Sequence, residues 1–382
     1  MQVPAQDCHA LLAITASHFL NIMAEPLKNL YSKQLISDLS DEITLQHAAF
    51  DPVAFERSLF DKSWKEKELK QRMRHIAECL QQHLPPEYPR AIAILKPVAE
   101  KFNGFEYMFF QDYVECYGLD DFEISIEALE HFTKFASSEF AVRAFILQDQ
   151  ERMMQQMLAW ARSDNHHVRR LASEGCRPRL PWAIALPAFK NDPRPVLPIL
   201  KILMNDDSEY VRRSVANNLN DISKDNPDIV LNWAERWSGK NRNTDRLIKH
   251  ACRTLLKQGN QDALSLFGFT ATEHIKVCMF AVQPDVCIGE KLTFSFLLKS
   301  SKARLGKCRI EFVIDFAKAN NRQSRKVFKI SESDYAEKEK QVTKYFSFKQ
   351  ISTRKYYSGK HKLSIIINGI EKTSKPFELI LK

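Results

Sequence analysis

Three carboxylates stand near arginines at spacings that suggest chemistry. Glu139 lies four residues before Arg143 in EFAVRAFI, Glu174 four after Arg170 in VRRLASEG, and Asp221 eight after Arg213 in VRRSVANNLND. On a helix the first two acids share a face with their arginine, and Asp221 falls within a quarter turn of its own. The plain account is three helix-surface ion pairs, each worth about 0.3–0.5 kcal/mol. Two details count against it. In Arg170/Glu174 the acid follows the base, the weaker order along a helix. The acids also recur at corresponding places in successive units and would line one concavity. An acid on an arginine-rich surface suits the stabilisation of a cation. A sugar gains oxocarbenium-like charge as its N-glycosidic bond breaks. A carboxylate about 4 Å away, at an effective dielectric near 20, stabilises that charge by roughly 4 kcal/mol, about a thousandfold in rate. It can also orient water. A base that already carries a positive charge needs no general acid to leave, so such a site works without a catalytic histidine or lysine.

The surrounding elements must hold these acids. The phrase hydrophobe-Arg-Arg occurs at Val168-Arg169-Arg170 and again at Val211-Arg212-Arg213. The copies lie about 43 residues apart, inside the HEAT-like repeat range of about 40–47. Each follows a polar turn and opens an apolar-periodic helix, and Ile248-Lys249-His250 echoes it more weakly. Helical spacing persists to about Leu264, with Pro85-Pro86 stopping one helix and Pro89 starting the next. Helix pairs are predicted at Phe122–Phe135 with Ser138–Leu147, and at Arg152–Arg162 with His167–Gly175. Further helices are predicted at Trp182–Phe189, Val196–Met204, Pro227–Trp237 and Asp245–Gln258. Stacked pairs of this kind bury a continuous core and leave a concave binding surface.

Around Phe267-Gly268-Phe269 the period changes from helical to two. Strands are predicted at His274–Val282, Lys291–Leu298, Lys307–Phe316, Lys326–Ile330, Gln341–Phe348, Lys360–Ile367 and Lys375–Leu381. Seven short strands suggest an immunoglobulin-like β-sandwich, here without the Trp and cysteine spacing of antibody domains. The fold class expected is therefore multidomain, an all-α HEAT-like repeat superhelix followed by an immunoglobulin-like β-sandwich.

The formal net charge is +9 over 382 residues. It is unevenly spread, because the segment from Gly268 onward holds 23 Lys/Arg against 11 Asp/Glu and the rest is slightly acidic. A basic module joined to a near-neutral one fits a clamp on a polyanion, most simply nucleic acid. The eight cysteines form no CxxC or Cys/His metal pattern, His166, His167 and His250 make no ligand set, and no Gly-rich phosphate loop occurs. No metal or cofactor is expected. Ala10 to Met23 reads as an amphipathic helix, neither a signal peptide nor a span, and no run of 18 apolar residues occurs. A cytoplasmic protein without a membrane partner is the expectation, with reduced thiols buried as small hydrophobes.

Several long motifs, HVRRLASEGCRPRLPWA, YVRRSVANNLNDISKD, HACRTLLKQG and EFAVRAFI, together resemble the AlkC branch of the AlkC/AlkD-type bacterial alkylpurine DNA glycosylases. EPLKNLYS and ELKQRMRHIAECL match that branch too, so the resemblance covers about residues 23–268. It implies a monofunctional glycosylase of base excision repair that removes cationic lesions such as 3-methyladenine and 3-methylcytosine. It further implies action without base flipping, unlike most enzymes of this class. By motif, Glu139, Glu174 and Asp221 match the family's catalytic acids, and Arg170 and Trp182 match positions associated with DNA or the lesion. Arg143, Arg169, Arg212 and Arg213 join these two as expected DNA-binding residues, and Arg177 and Arg179 stand where phosphates could be met. Trp64, Trp160, Trp233 and Trp237 sit at helical spacing and are expected in the core.

The domain organisation expected is an extension at 1–22, a HEAT-like glycosylase domain at 23–267 and a basic β-sandwich at 268–382. The partner is double-stranded DNA containing alkylated bases, bound by a monomer in the bacterial cytoplasm and nucleoid. The alternative is a non-catalytic HEAT-repeat DNA-binding or scaffold protein whose acids are structural. An RNA-directed binder is disfavoured, since no RNP-like aromatic pair or KH-type GXXG loop occurs.

Overall fold

Residues 26–318, 322–351 and 354–381 are described by the structure, a computed structural model. The extension at 1–22 and the amphipathic helix expected at Ala10 to Met23 lie outside them. The chain divides into two compact units after Gly175.

Short polar side chains start many of the helices by accepting amide hydrogens that a first turn leaves over. Ser32 receives Leu35 N at 3.2 Å, Asp51 receives Ala54 N at 3.0 Å, Asn165 receives His167 N at 2.8 Å and Asn260 receives Ala263 N at 2.9 Å. In the first unit the described residues form α1 (Lys33–Gln46), α2 (Pro52–Leu59), α3 (Leu69–His83), α4 (Tyr88–Ala99) and α5 (Phe109–Tyr117). These are followed by α6 (Phe122–Phe132), α7 (Val142–Gln148), α8 (Gln150–Trp160) and α9 (His166–Glu174). Helix packs on helix throughout: α1 on α2 and α4, α3 on α5, α4 on α6, and α8 on both α7 and α9. Trp64 and Trp160 are buried as expected, and Trp160 Nε1 donates to Glu130 Oε2 at 2.7 Å.

The second unit continues with α10 (Pro187–Asn191), α11 (Leu197–Leu203), α12 (Glu209–Ile222) and α13 (Pro227–Trp237). Then come α14 (Arg242–Ala251), α15 (Arg253–Gln258) and α16 (Gln261–Leu266). Two helices differ from expectation. The helix predicted from Trp182 starts only at Pro187, because prolines at 178, 181 and 187 disfavour helical backbone in the residues before them. The helix predicted at Asp245–Gln258 begins earlier and is interrupted at Cys252. Trp233 and Trp237 are half-buried.

The C-terminal region is an immunoglobulin-like β-sandwich, with eight strands among the described residues. Sheet β1–β3–β6 comprises Ile275–Val282, Lys291–Ser300 and Glu339–Ser347. The other sheet runs in the order β2–β8–β7–β4–β5, that is Asp285–Cys287, Ile370–Ile380, Gly359–Ile367, Gly306–Ala317 and Gln323–Tyr335. All seven predicted strands are present, and the three-residue β2, too short to show a period, was not predicted. Leu292, Phe294, Phe296 and Leu298 alternate inward from β3 and meet Ile310, Phe312 and Ile314 from β4. The described cysteines are free thiols. No helix among the described residues is long and apolar enough to cross a membrane.

One glycine of the first unit is fixed by a close approach. Tyr88 Oη and Ser125 Oγ lie 2.7 Å apart, and Ser125 Oγ donates to Gly118 O at 2.6 Å. A Cβ on Gly118 would stand 2.3 Å from both oxygens. Gly118→Ala should therefore destabilise the protein by about 1–3 kcal/mol, read as a lowered urea midpoint at unchanged slope.

Candidate active site and nucleic-acid interface

The first unit gathers Glu139, Arg170 and Glu174. Arg170 leaves α9 and its guanidinium pairs with Glu139 Oε2 through one nitrogen and with Glu174 Oε1 at 3.5 Å through the other. Ser137, which sequence reasoning missed, completes the arrangement. Its Oγ donates to Glu139 Oε2 at 2.8 Å and accepts from Arg170 Nη1 at 2.6 Å. Serine and arginine thus hold the same carboxylate oxygen. Only its position two residues before Glu139 could have pointed to Ser137. Glu174 is 5% exposed. Two carboxylates thus meet at one guanidinium in a largely dehydrated corner, where charges act on one another more strongly than in water.

Arg143 is a correction. Its side chain is 1% exposed and donates to Gly175 O at 2.9 Å, so it faces the interior and not a phosphate. Glu139, expected to face Arg143, pairs instead with Arg170, 31 residues away. An ion pair read from helical spacing competes with partners that only tertiary structure supplies.

In the second unit Asp221 is also paired differently from expectation. Arg177 Nε donates to Asp221 Oδ2 at 2.8 Å and Lys224 Nζ to Asp221 Oδ1 at 2.8 Å, while Arg213 pairs with Glu209 at 2.9 Å. One helical turn after Asp221, Asp225 receives Arg179 Nε at 3.0 Å and Arg179 Nη2 at 2.6 Å. Arg177 and Arg179 therefore pin the proline-rich turn RPRLPW to the end of α12 and are committed to carboxylates. The same turn carries Trp182, which is 61% exposed at a φ of 64°. Left-handed backbone at a bulky non-glycine residue costs about 1–3 kcal/mol and tends to cluster at functional sites.

The paired arginines divide their work. Arg169 Nη1 donates to Ser163 O at 3.0 Å and Asp164 O at 2.9 Å. Arg212 Nη1 donates to Asp206 O and to Asp207 O, the latter at 2.9 Å. In both copies the first arginine clasps the carbonyls five and six residues back. The second arginine is left for other partners. Arg212 and Arg213 border a cleft of about 210 Å³ between α12 and α14, together with Glu209, Asn243, Arg246 and His250. Burial, with Arg253, Arg213 and Arg177 nearby, pushes the His250 imidazole down to about 4. His250 Nε2 lies 2.9 Å from Asn217 Oδ1. The cleft is a basic recess of a size suited to a phosphate group.

Comparison with known proteins defines the class. The family described as DNA alkylation repair enzyme matches residues 107–255, and the C-terminal Ig-like domain of YhaZ matches residues 276–381. The chain belongs to the DNA alkylation repair enzyme family, in its AlkC branch. Protein YhaZ of Bacillus subtilis, itself uncharacterised, is 48% identical over 355 residues, spanning 92% of this chain and 99% of that one. The structure of Pseudomonas fluorescens alkylpurine DNA glycosylase AlkC, bound to DNA containing an abasic site analogue, matches with a TM-score of 0.89 and 38% identity. That match covers 93% of this chain and 99% of the other.

Two predictions follow from this geometry. Arg170→Ala removes the guanidinium at which two carboxylates meet and should cost about 3 kcal/mol or more of stability at neutral pH, measured by denaturant unfolding. His250 binds fewer protons folded than unfolded between its folded value of about 4 and the ordinary 6.5, so it makes stability fall as pH drops through that window. His250→Gln should therefore lose less stability than wild type on acidification from pH 6.5 to 4.5, by urea unfolding.

Proposed function

We propose that this protein is a DNA glycosylase of base excision repair that hydrolyses the N-glycosidic bond of cationic alkylated bases in duplex DNA. The observation that carries the reading is the Glu139–Arg170–Glu174 cluster, which gathers two carboxylates at one guanidinium. It stabilises the oxocarbenium-like sugar that forms as a base such as 3-methyladenine or 3-methylcytosine departs. Because the base carries a positive charge before the bond breaks and departs neutral with the bonding electron pair, no general acid is required. Ser137 and Arg170 hold Glu139 Oε2, so Glu139 Oε1 is the oxygen assigned to the sugar or to the attacking water.

The exposed, strained Trp182 meets the lesion or its flanking sugar, and an indole face suits a cation. Arg212, Arg213 and Arg246 receive a backbone phosphate in the cleft, with the basic β-sandwich as a second grip on the duplex. The branch's AlkC relative is an alkylpurine glycosylase bound to DNA, which supports substrate class and partner alike. Action without base flipping, as a cytoplasmic monomer of two domains joined near residue 268, completes the reading. The alternative, a non-catalytic HEAT-repeat binder, draws its support from Asp221. That acid is 1% exposed between Arg177 and Lys224 and anchors the Trp182 turn.

Single-turnover release of methylated bases from alkylated duplex DNA tests both. Wild type should release 3-methyladenine, and Glu174→Gln should slow release by about a hundredfold or more while leaving duplex affinity nearly unchanged. Asp221→Asn decides whether that acid is catalytic or structural. A folded wild type that binds duplex but releases no base would leave the binding module as the correct reading.

A further inference from the structure

The β-sandwich is fastened to the last helices at two places. The first is a contact between two turns. The β7–β8 hairpin closes on Asn368-Gly369, with φ of 49° and 79°, as a tight two-residue turn with left-handed backbone requires. Gly259, left-handed at 73°, ends α15. A Cβ on Gly369 would fall 2.9 Å from Gly259 Cα and 2.7 Å from Leu264 Cδ1, so the two turns touch backbone to backbone. Asn368 Nδ2 donates to Thr270 O at 3.0 Å, and its Oδ1 accepts from Arg309 N at 2.7 Å. Lys372 Nζ donates to Thr272 O at 2.7 Å, tying the connector down from the neighbouring strand.

The second is a seam of charge. On the outward face of the five-stranded sheet Arg309 pairs with Glu311 at 2.7 Å and with Glu332 at 2.8 Å, and all three side chains are at least nine-tenths buried. Lys249 reaches from α14 onto Glu332. Burial raises the Glu311 carboxyl, Arg309 opposes that rise, and Lys257 of α15 opposes it further. Lys249 is next in sequence to His250, so α14 presents the cleft of Arg246 and His250 and also anchors the sheet.

We infer that Lys249 and Glu332 are positioning residues, which hold the basic sandwich at one fixed angle to the α12/α14 cleft so that both grip one duplex together. This rests on the DNA-binding reading above. Two grips on one rigid frame bind as a bivalent ligand does, and a frame that hinges loses that gain.

Glu332 gives a test in which simple electrostatics and the proposal have opposite signs. Glu332→Lys adds positive charge and sets it against Lys249, Arg309 and Lys329. Non-specific attraction alone would tighten binding to DNA. The proposal requires Glu332→Lys to bind unmodified duplex at least about tenfold more weakly than wild type, with Glu332→Gln intermediate. Base release at saturating protein should stay near the wild-type rate, so the loss falls on affinity and not on chemistry. Chymotrypsin should cut the connector at Phe267 or Phe269 faster in Glu332→Lys, and Lys249→Arg should behave as wild type in every assay. Unchanged or tighter duplex binding by folded Glu332→Lys and Glu332→Gln overturns the proposal, as does equal protection of the connector. A wild type that binds duplex without releasing base ends the glycosylase reading but leaves this test intact. A wild type that does not bind duplex ends both.

Discussion

The clasp between the first arginine of each pair and the carbonyls behind it is the constraint on which the candidate interface depends. Arg169 and Arg212 each fold back five and six residues onto the preceding turn and fix where their helix begins. A helix whose start is fixed presents its next arginine at a fixed rotation. Arg170 can then reach Glu139 and Ser137 across sequence gaps of 31 and 33 residues. Arg213 instead stays near the surface beside Glu209 and the basic cleft. One local device thus serves two different ends in two repeats, and the difference lies in the acids supplied by the neighbouring elements.

Those acids differ in their counter-charges. Glu139 and Glu174 meet at one arginine, whereas Asp221 lies between an arginine and a lysine. The first arrangement gathers two carboxylates at one place, which suits a developing cation. The second sets two cations around one carboxylate, which anchors a turn. With Asp225 it holds the RPRLPW turn in a conformation that exposes an indole at the expense of backbone strain. Three acids that look alike in sequence thus separate by environment.

Much of the fold was legible because its signals are local. Helical period to Leu264, strand alternation in segments such as Thr293–Phe296, and Asn or Asp ahead of helices all report nearest-neighbour physics, and the long family motifs added the rest. Failures came where one residue must choose among distant partners. Spacing along one helix assigned Glu139 to Arg143 and Asp221 to Arg213, yet Arg143 is buried against Gly175 O and each acid found its arginine on another segment. The helix expected from Trp182 starts only at Pro187, because the surrounding prolines decide the backbone. The cleft of Arg246 and His250 joins two helices that pattern alone does not bring together.

The meeting of Gly259 with Gly369 reaches beyond binding. Each glycine is required by its own turn, and each also lacks the atom that would push the other away. The helices from α12 onward and the sandwich accordingly lie in one compact unit that starts at Cys176, well before helix gives way to strand. Cooperativity therefore crosses the change of secondary structure. Heat or denaturant would melt the last repeats and the sandwich as one body, and neither could be inherited, exchanged or engineered as a self-sufficient module without a substitute for the surface it loses.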